Sequence, residues 1–224
     1  HARALAAGEA GQADSALLDL KDGEWAAFLK KLAIARDRSG EEFVVDGWAT
    51  TAVQSGPEAL KRVLTGVGQV RRVREVRALR GFRRYSGDAE MIPVDLGPDR
   101  HRRPVYPAIE LFGEGIFLRF DEDRIAAWES DPAVQKRADI LKRRRAEQPW
   151  AHRLDIPEPR FIALHTLAHL LIRRLAFASG YSSASLQERV YANSDRTDRT
   201  AGVLIYTAAG DAQALLFQAG RGFV

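Results

Sequence analysis

Apolar positions in the first part of the chain recur at helical spacing. In DGEWAAFLKKLAIARD, residues 22–37, the bulky apolar side chains fall on one face of a helix, which predicts a short amphipathic helix. SGPEALKRVLTG predicts a second helix, because Ser55 suits the N-cap, Pro57 the first turn and Gly66 the end. The N-terminal part is therefore expected to be helical.

A basic segment follows, VRRVREVRALRGFRRY, in which apolar residues recur every three positions. This period favours a helix or a broken helix. An extended segment stays open as an alternative, because a repeat of three drifts around a helix of 3.6 residues per turn. The next residues, 86–107, are rich in Gly, Pro and Asp and predict a long surface connection between two lobes.

The pattern after residue 107 predicts a hairpin and several helices. AIELFGEGIFLRFDEDRIAAWE predicts two strands with a turn at Gly113–Gly115, then a helix that begins near Asp121. QKRADILKRRRAEQPW predicts a charged helix, and FIALHTLAHLLIRRLAFASG predicts an apolar helix that ends at Gly180.

The last patterned stretch combines a capping signal with an apolar run. Ser185 and Glu188 have the spacing of a capping box, so SLQERVYA is expected to be helical. AGVLIYTAAGD predicts a buried strand.

Together these elements predict an α+β fold of mixed helices and short sheets, with a helix-rich C-terminal lobe. Residues 1–104 are expected to form a helical, basic N-terminal lobe. Residues 105–224 are expected to form a hairpin plus a helical C-terminal lobe. Because the sequence opens on His1, without methionine, we expect it to be a fragment of a longer protein.

Composition fits a folded protein in the cytoplasm. Of the 224 residues, 46% are hydrophobic and 29% are charged, as in ordinary globular proteins. The apolar runs are too short to predict a membrane span, and no signal peptide is recognised, so no membrane partner is expected. Without a cysteine the chain holds no disulfide and no thiolate zinc site.

The basic segment carries the first candidate chemistry. Guanidinium groups match phosphate oxygens in forked geometry, so its arginines are candidate contacts to DNA or to an acidic partner. The alternative is that they pair with acidic residues of the same chain, and both interpretations stay open. The candidate arginines are Arg71, Arg72, Arg74, Arg77, Arg80, Arg83 and Arg84.

Two histidines four residues apart, His165 and His169, form the second candidate site. They share one helical face, so both rings could reach one metal ion, with Glu188 as a third ligand. Zinc peptidases with this spacing have a glutamate after the first histidine, where Thr166 stands here. Structural polar contacts are the other interpretation, and no residue is assigned as a catalytic group or metal ligand. No nucleophile elbow, phosphate-binding loop or dinucleotide fingerprint is recognised, so no intrinsic catalysis is predicted.

Three phrases together resemble a known family. They are REVRALRGFRRY, AIELFGEGIFLRFDEDRIAAWE, and LHTLAHLLIRRLAFASGYSSASLQERVYA followed by AGVLIYTAAGD. They resemble the DrmB family of the DISARM anti-phage system and the C-terminal domain of MrfA-type repair helicases. The positions that match the last phrase are His165, His169, Gly180, Tyr181, Ser185, Leu186, Glu188 and Arg189, and Asp211 ends the strand that follows it.

The resemblance implies an accessory domain that binds a superfamily 2 DNA helicase and helps to engage DNA in bacterial anti-phage defence. ATP hydrolysis would come from the helicase partner. Many members carry a cysteine cluster further on, thought to hold zinc. Neither that cluster nor the glycine-rich continuation after the strand stands here, so no cofactor is expected within these residues. The alternative function is a metal-dependent hydrolase that uses His165 and His169.

Within the resemblance, Tyr181, Glu188 and Arg189 join the two histidines as residues of a structural or functional site. We expect these side chains to organise the core or a site where the two lobes meet.

Overall fold

The computed structural model describes residues 20–38, 42–47, 57–83, 91–94, 96–149, 151, 156–180, 185–194, 197 and 199–207. The α+β class is confirmed. The helices are α1 (20–32), α2 (Glu58–Lys61), α3 (Glu122–Glu129), α4 (Pro132–Ala146) and α5 (Pro159–Ser179). The strands are β1 (Val44–Gly47), β2 (Leu64–Ala78), β3 (Gly81–Phe82), β4 (Ile92–Pro93), β5 (Ala108–Phe120), β6 (Leu186–Asn193) and β7 (Thr200–Thr207).

A five-stranded antiparallel sheet organises the fold, in the order β1-β2-β5-β7-β6. Its long strands exceed the short sheets expected, since β2 has 15 residues and β5 has 13. Strands from both sides of residue 104 join this one sheet. The second sheet of the described chain is the small β3-β4 pair.

The sheet is covered on both faces. On one face α5 packs over the strands, and Leu164, Ala168 and Ile172 meet Val190 and Val203 there. On the other face the aromatic residues of α1 pack on the sheet. Because side chains alternate along a strand, neighbouring residues of β7 enter opposite cores, and all of β7 is buried.

Helix α1 places an aromatic cluster on its face of the sheet. The rings of Phe28 and Phe117 stack with centroids 4.1 Å apart, and Trp25 meets Phe117 edge-on at 5.7 Å. Such pairs add to the stabilisation from apolar burial. The predicted amphipathic helix is therefore confirmed.

Several predicted boundaries are confirmed. Asp121 caps α3 by accepting a hydrogen bond from the amide of Arg124. The charged helix α4 begins three residues before the predicted segment, where Asp131 accepts a hydrogen bond from the amide of Ala133. Gly180 ends α5 with φ 71°, a left-handed conformation that favours glycine. The second predicted helix is a single turn, α2, because the chain enters β2 at Leu64.

Helix α5 is long and apolar enough, by length and composition, to cross a membrane. The core helix of a globular protein passes the same test. Here Leu164, Ala168 and Ile172 form a buried stripe against the sheet, and Arg160 in the first turn makes ion pairs. These contacts favour a core helix.

The helical prediction for the arginine segment is wrong: residues 70–78 belong to β2. Residues 73–78 pair with residues 108–113 of β5, so the partner strand determines the conformation. A register shift between Val70 and Val73 interrupts the alternation of the two strand faces there, so these two residues stand three positions apart although both are at least partly buried.

The predicted hairpin is wrong as well, because β5 runs unbroken through Gly113 and Gly115. These glycines allow the end of β7 to approach closely. A Cβ atom on Gly113 would lie 1.8 Å from the carbonyl oxygen of Thr207, and one on Gly115 would lie 2.2 Å from that of Ile205. The sequence signal was therefore a close approach of two backbones rather than a turn.

The helix predicted from the Ser185 and Glu188 capping box is wrong, since SLQERVYA contains β6. Leu186 and Val190 enter the α5 core, whereas Tyr191 enters the α1 core. This alternation is typical of a strand whose two faces are both covered.

Candidate functional site

His165, His169 and Glu188 converge on one side of the sheet. The histidines lie on successive turns of α5, and Glu188 lies on β6 between two residues that enter the α5 core. Glu188 therefore points toward α5, as the period of two along a strand requires. The structure thus brings together the three residues that the sequence suggested as metal ligands.

The distances in this cluster are short. His165 Nδ1 lies 2.7 Å from Glu188 Oε1, and His169 Nε2 lies 3.5 Å from the same oxygen. The two Nε2 atoms are 3.2 Å apart. One ligand atom from each residue can be chosen so that all three lie within 4.8 Å of one another. The three groups can therefore share a proton network or one small cation.

The surroundings hold the cluster in place but leave it open. Phe161 stacks on the His165 ring at 5.3 Å, and both histidines are partly exposed to solvent. Glu188 is mostly buried, and its Oε2 atom has no hydrogen-bond partner among the described residues. A buried carboxylate oxygen without a partner is unusual and marks a position where a ligand or water would be favourable.

Arg189 does not belong to this cluster. It follows Glu188 on β6, points to the α1 side and forms two hydrogen bonds with Glu24, at 2.6 and 2.7 Å. Tyr191 donates a hydrogen bond to the same carboxylate at 3.0 Å. Burial, together with Glu24, raises the pKa of the Tyr191 phenol. Arg189 thus links α1 to β6 through an ion pair. Tyr181 lies outside the described residues.

Most of the candidate arginines with described contacts are engaged by acidic groups of this chain. Arg71 pairs with Asp46 at 2.8 Å, and Arg77 pairs with Glu75 at 2.8 Å. Arg74 is bonded to Glu110, which raises the pKa of its guanidinium. The interpretation as intramolecular ion pairs therefore describes these three, although the acids lie on strands and loops rather than on neighbouring helices.

Two arginines of the segment differ from these. Arg72 lies over the Phe112 ring, 4.2 Å from its centroid. Neither Arg72 nor Arg80 has an ion-pair partner among the described residues, and both are exposed. Arg83 has a contact within the chain, and Arg84 lies outside the described residues. Arg72 and Arg80 are therefore the best candidates for contact with an external anion.

The same part of the molecule exposes apolar side chains. Residues 73–78 of β2 and 108–113 of β5 pair only with one another among the described strands, so they form a two-stranded extension of the sheet, which we call the arm. On it Val76 is 55% exposed and Ile109 is 57% exposed. Further exposed apolar residues on or beside the arm are Leu79, Phe82, Met91, Ile92 and Phe112.

Sequence reasoning missed a fully buried charge in the described part of the chain. Arg160, in the first turn of α5, is 0% exposed and pairs with Glu122 at 2.7 Å and Glu129 at 2.6 Å. Burial lowers its pKa, but the hydrogen bonds to the two carboxylates outweigh that effect and raise it. No spacing signal marks this residue, because its partners are 38 and 31 positions away.

Comparisons with known proteins give one similarity of note. No family model matches the chain. The chain is 31% identical over 207 residues to the DISARM protein DrmB of Bacillus paralicheniformis. The matched region is 88% of this chain and 34% of that protein, so the chain spans about a third of the length of this relative.

Proposed function

We propose that this chain is an accessory unit of a bacterial anti-phage complex of the DISARM type. It would bind a superfamily 2 helicase subunit and help to engage DNA in the cytoplasm, while the helicase hydrolyses ATP. The observation that carries the proposal is the similarity to DISARM protein DrmB across 88% of the chain.

The arm supports a docking role. Its exposed apolar residues form the kind of surface that a partner protein covers, because isolated proteins seldom expose several large apolar side chains together. Arg72 and Arg80 lie in the same region and add positive charge without an internal carboxylate among the described residues. This combination suits a partner face or a junction between protein and DNA.

DNA engagement is tested by a salt series on labelled single-stranded and duplex oligonucleotides, read by fluorescence anisotropy. We expect affinity to fall steeply with salt, because phosphate contacts release counterions. An Arg72→Ala/Arg80→Ala variant should flatten the log–log slope by roughly 1.4 on single strands and 1.8 on duplex, the contribution of two phosphate contacts.

The matched control is Arg62→Ala/Arg199→Ala, which removes the same charge from two arginines that pair with Glu58 and Glu122, at the ends of β2 and β5 opposite to the arm. The control should leave the slope close to that of the parent. Equal flattening by both variants would mean a nonspecific charge effect. No binding of either DNA at low salt would refute DNA engagement by this chain.

A metal-dependent hydrolase is a second candidate function, and the convergence of His165, His169 and Glu188 favours it. Such an enzyme would place a bound water on the ion, as catalytic zinc sites do. The test is hydrolysis of phosphodiester and peptide substrates with added Zn(II). Turnover that a folded His165→Ala/His169→Ala variant lacks would support the hydrolase, and turnover equal to the metal-free background would refute it.

A further inference from the structure

We infer that His165, His169 and Glu188 form a binding site for a divalent transition-metal ion, and that the ion fastens α5 to β6. The inference goes beyond the accessory function and does not depend on it. It also does not require hydrolysis, since a site that only stabilises the fold needs no substrate.

The separation of the two imidazole nitrogens is the first argument. Ligands about 2.0–2.1 Å from a tetrahedral zinc ion lie about 3.3 Å from one another. The Nε2 atoms of His165 and His169 are 3.2 Å apart. Both rings come from neighbouring turns of one helix, whose backbone fixes their positions.

Glu188 supplies the second argument, as a positioning residue. Its Oε1 lies 2.7 Å from His165 Nδ1, so it accepts the proton of Nδ1 and leaves Nε2 unprotonated and able to bind a cation. Metal-bound histidines commonly have such a carboxylate on the other ring nitrogen. The same oxygen lies 3.5 Å from His169 Nε2, which places negative charge beside the ion.

Charge and ligand type identify the class of ion. Two imidazole ligands with a carboxylate beside them suit Zn(II), Cu(II) or Ni(II), rather than Ca(II) or Mg(II), which prefer oxygen ligands. The partly exposed rings leave room for water to complete the coordination. The Glu188 Oε2 atom gives the carboxylate a second oxygen that has no hydrogen-bond partner among the described residues.

The consequence is a link between two elements of the fold. The histidines belong to α5 and Glu188 to β6, so an ion bound by the rings and neutralised by the carboxylate joins the helix to the edge strand of the sheet. An ion that binds the folded chain and not the unfolded chain raises the unfolding midpoint. At a hundredfold excess over Kd, the midpoint should rise by roughly 5–10 °C.

The test uses the whole chain without a histidine tag. Isothermal titration with Zn(II) measures affinity and stoichiometry, and Co(II) absorption in the visible region reports imidazole coordination. We expect one ion per chain with a Kd in the micromolar range or tighter. His169→Ala should lose saturable binding. Glu188→Ala should weaken binding by about 10–100-fold, the usual effect of losing an outer carboxylate.

His101→Ala is the matched control, because His101 is an exposed histidine in a loop whose ring meets Arg100. It should bind zinc as the parent does. Glu188→Gln adds a further readout, since it retains an oxygen that accepts from His165 Nδ1 but removes the charge. It should bind more tightly than Glu188→Ala and more weakly than the parent.

Three results would overturn the inference. The first is the absence of saturable binding in the parent, which would make the cluster a network of hydrogen bonds only. The second is equal loss in His101→Ala and His169→Ala. The third is binding that leaves the unfolding midpoint unchanged, which would remove the fastening role. None of these results bears on DNA or helicase binding.

Discussion

Replacing Arg160 with methionine should destabilise the fold more than replacing any exposed arginine. Its guanidinium makes two hydrogen bonds to Glu129, two to Glu122, and one each to the carbonyl oxygens of Asn193 and Thr200. It thereby connects α3 and α5 to the turn region between β6 and β7. Methionine preserves the apolar stem but supplies no donor.

The expected loss of folding free energy depends on the two carboxylates that remain without a partner. Removing one partner of a buried ion pair costs about 3–5 kcal/mol, because the remaining charge stays buried and unpaired. The Glu129 side chain is 13% exposed and that of Glu122 is 31% exposed, so Glu122 regains part of its hydration. We therefore expect about 3 kcal/mol, or more than a hundredfold in the folding equilibrium.

Urea unfolding followed by far-ultraviolet circular dichroism measures this loss, and Trp25 in the α1 core provides a fluorescence signal. The control is Arg103→Met: Arg103 has a 73% exposed side chain and pairs with Asp99 in an exposed loop. It should change the free energy of unfolding by less than about 1 kcal/mol. A loss below about 1 kcal/mol for Arg160→Met, or a loss equal to that of the control, would refute the reasoning.

A second variant separates unpaired charge from lost packing. Adding Glu122→Gln and Glu129→Gln to Arg160→Met removes both stranded carboxylates, so part of the lost stability should return. If the triple variant is less stable than Arg160→Met, the cost does not come from unpaired charge.

Two further predictions concern other parts of the fold. Gly113→Ala should cost about 1–3 kcal/mol in chemical unfolding, because its Cβ would meet the Thr207 carbonyl at 1.8 Å. The control, Gly23→Ala in α1, should stabilise the fold by about 0.5–1 kcal/mol. Equal effects of the two substitutions on unfolding would contradict the close approach. Tyr191→Phe should cost about 1–2 kcal/mol near neutral pH by removing the hydrogen bond to Glu24. Burial raises the pKa of Tyr191, so its contribution is complete below the ordinary value of 10.0 and declines as pH rises above it. Unfolding measured from pH 7 to 11 should show the difference between parent and variant shrinking above pH 10, and a widening difference would contradict this sign.

Elements that are marked by local sequence signals could be predicted from the sequence. The apolar spacing of α1, the Asp121 cap of α3 and Gly180 at the end of α5 are local signals, and each corresponds to the observed element. The buried run of β7 was also predictable, because every residue of it is apolar or small enough to pack between two cores.

Elements determined by distant partners were not predictable in this way. The arm strand β2 is exposed for most of its later half, so its side chains show little of the alternation that reveals a half-buried strand. Gly113 and Gly115 looked like a turn because glycine also serves close backbone approach. For β6, the capping-box pattern suggested a helix. The alternation of its side chains between two cores, which identifies a strand, is visible only in the folded structure.

The candidate site was likewise predictable only where its residues are close in the sequence. The spacing of His165 and His169 is local and was recognised from the sequence. Their meeting with Glu188 depends on β6 being a strand beside α5, which the helical assignment of that segment obscured. Arg160 gave no signal, because its role arises from carboxylates distant in the chain.

Protection of bacteria against phage is the most direct measurement of the proposed function. The efficiency of plating is compared between cells that carry a complete DISARM-type defence locus with the parent chain and cells in which Val76 and Ile109 of the arm are changed to glutamate. Leu60→Glu, at an exposed apolar residue of α2 away from the arm, serves as the control. The account predicts that the arm variant and deletion of the chain both lose protection while Leu60→Glu retains it. Full protection without the chain would contradict the anti-phage function, and full protection with the arm variant would contradict docking through the arm.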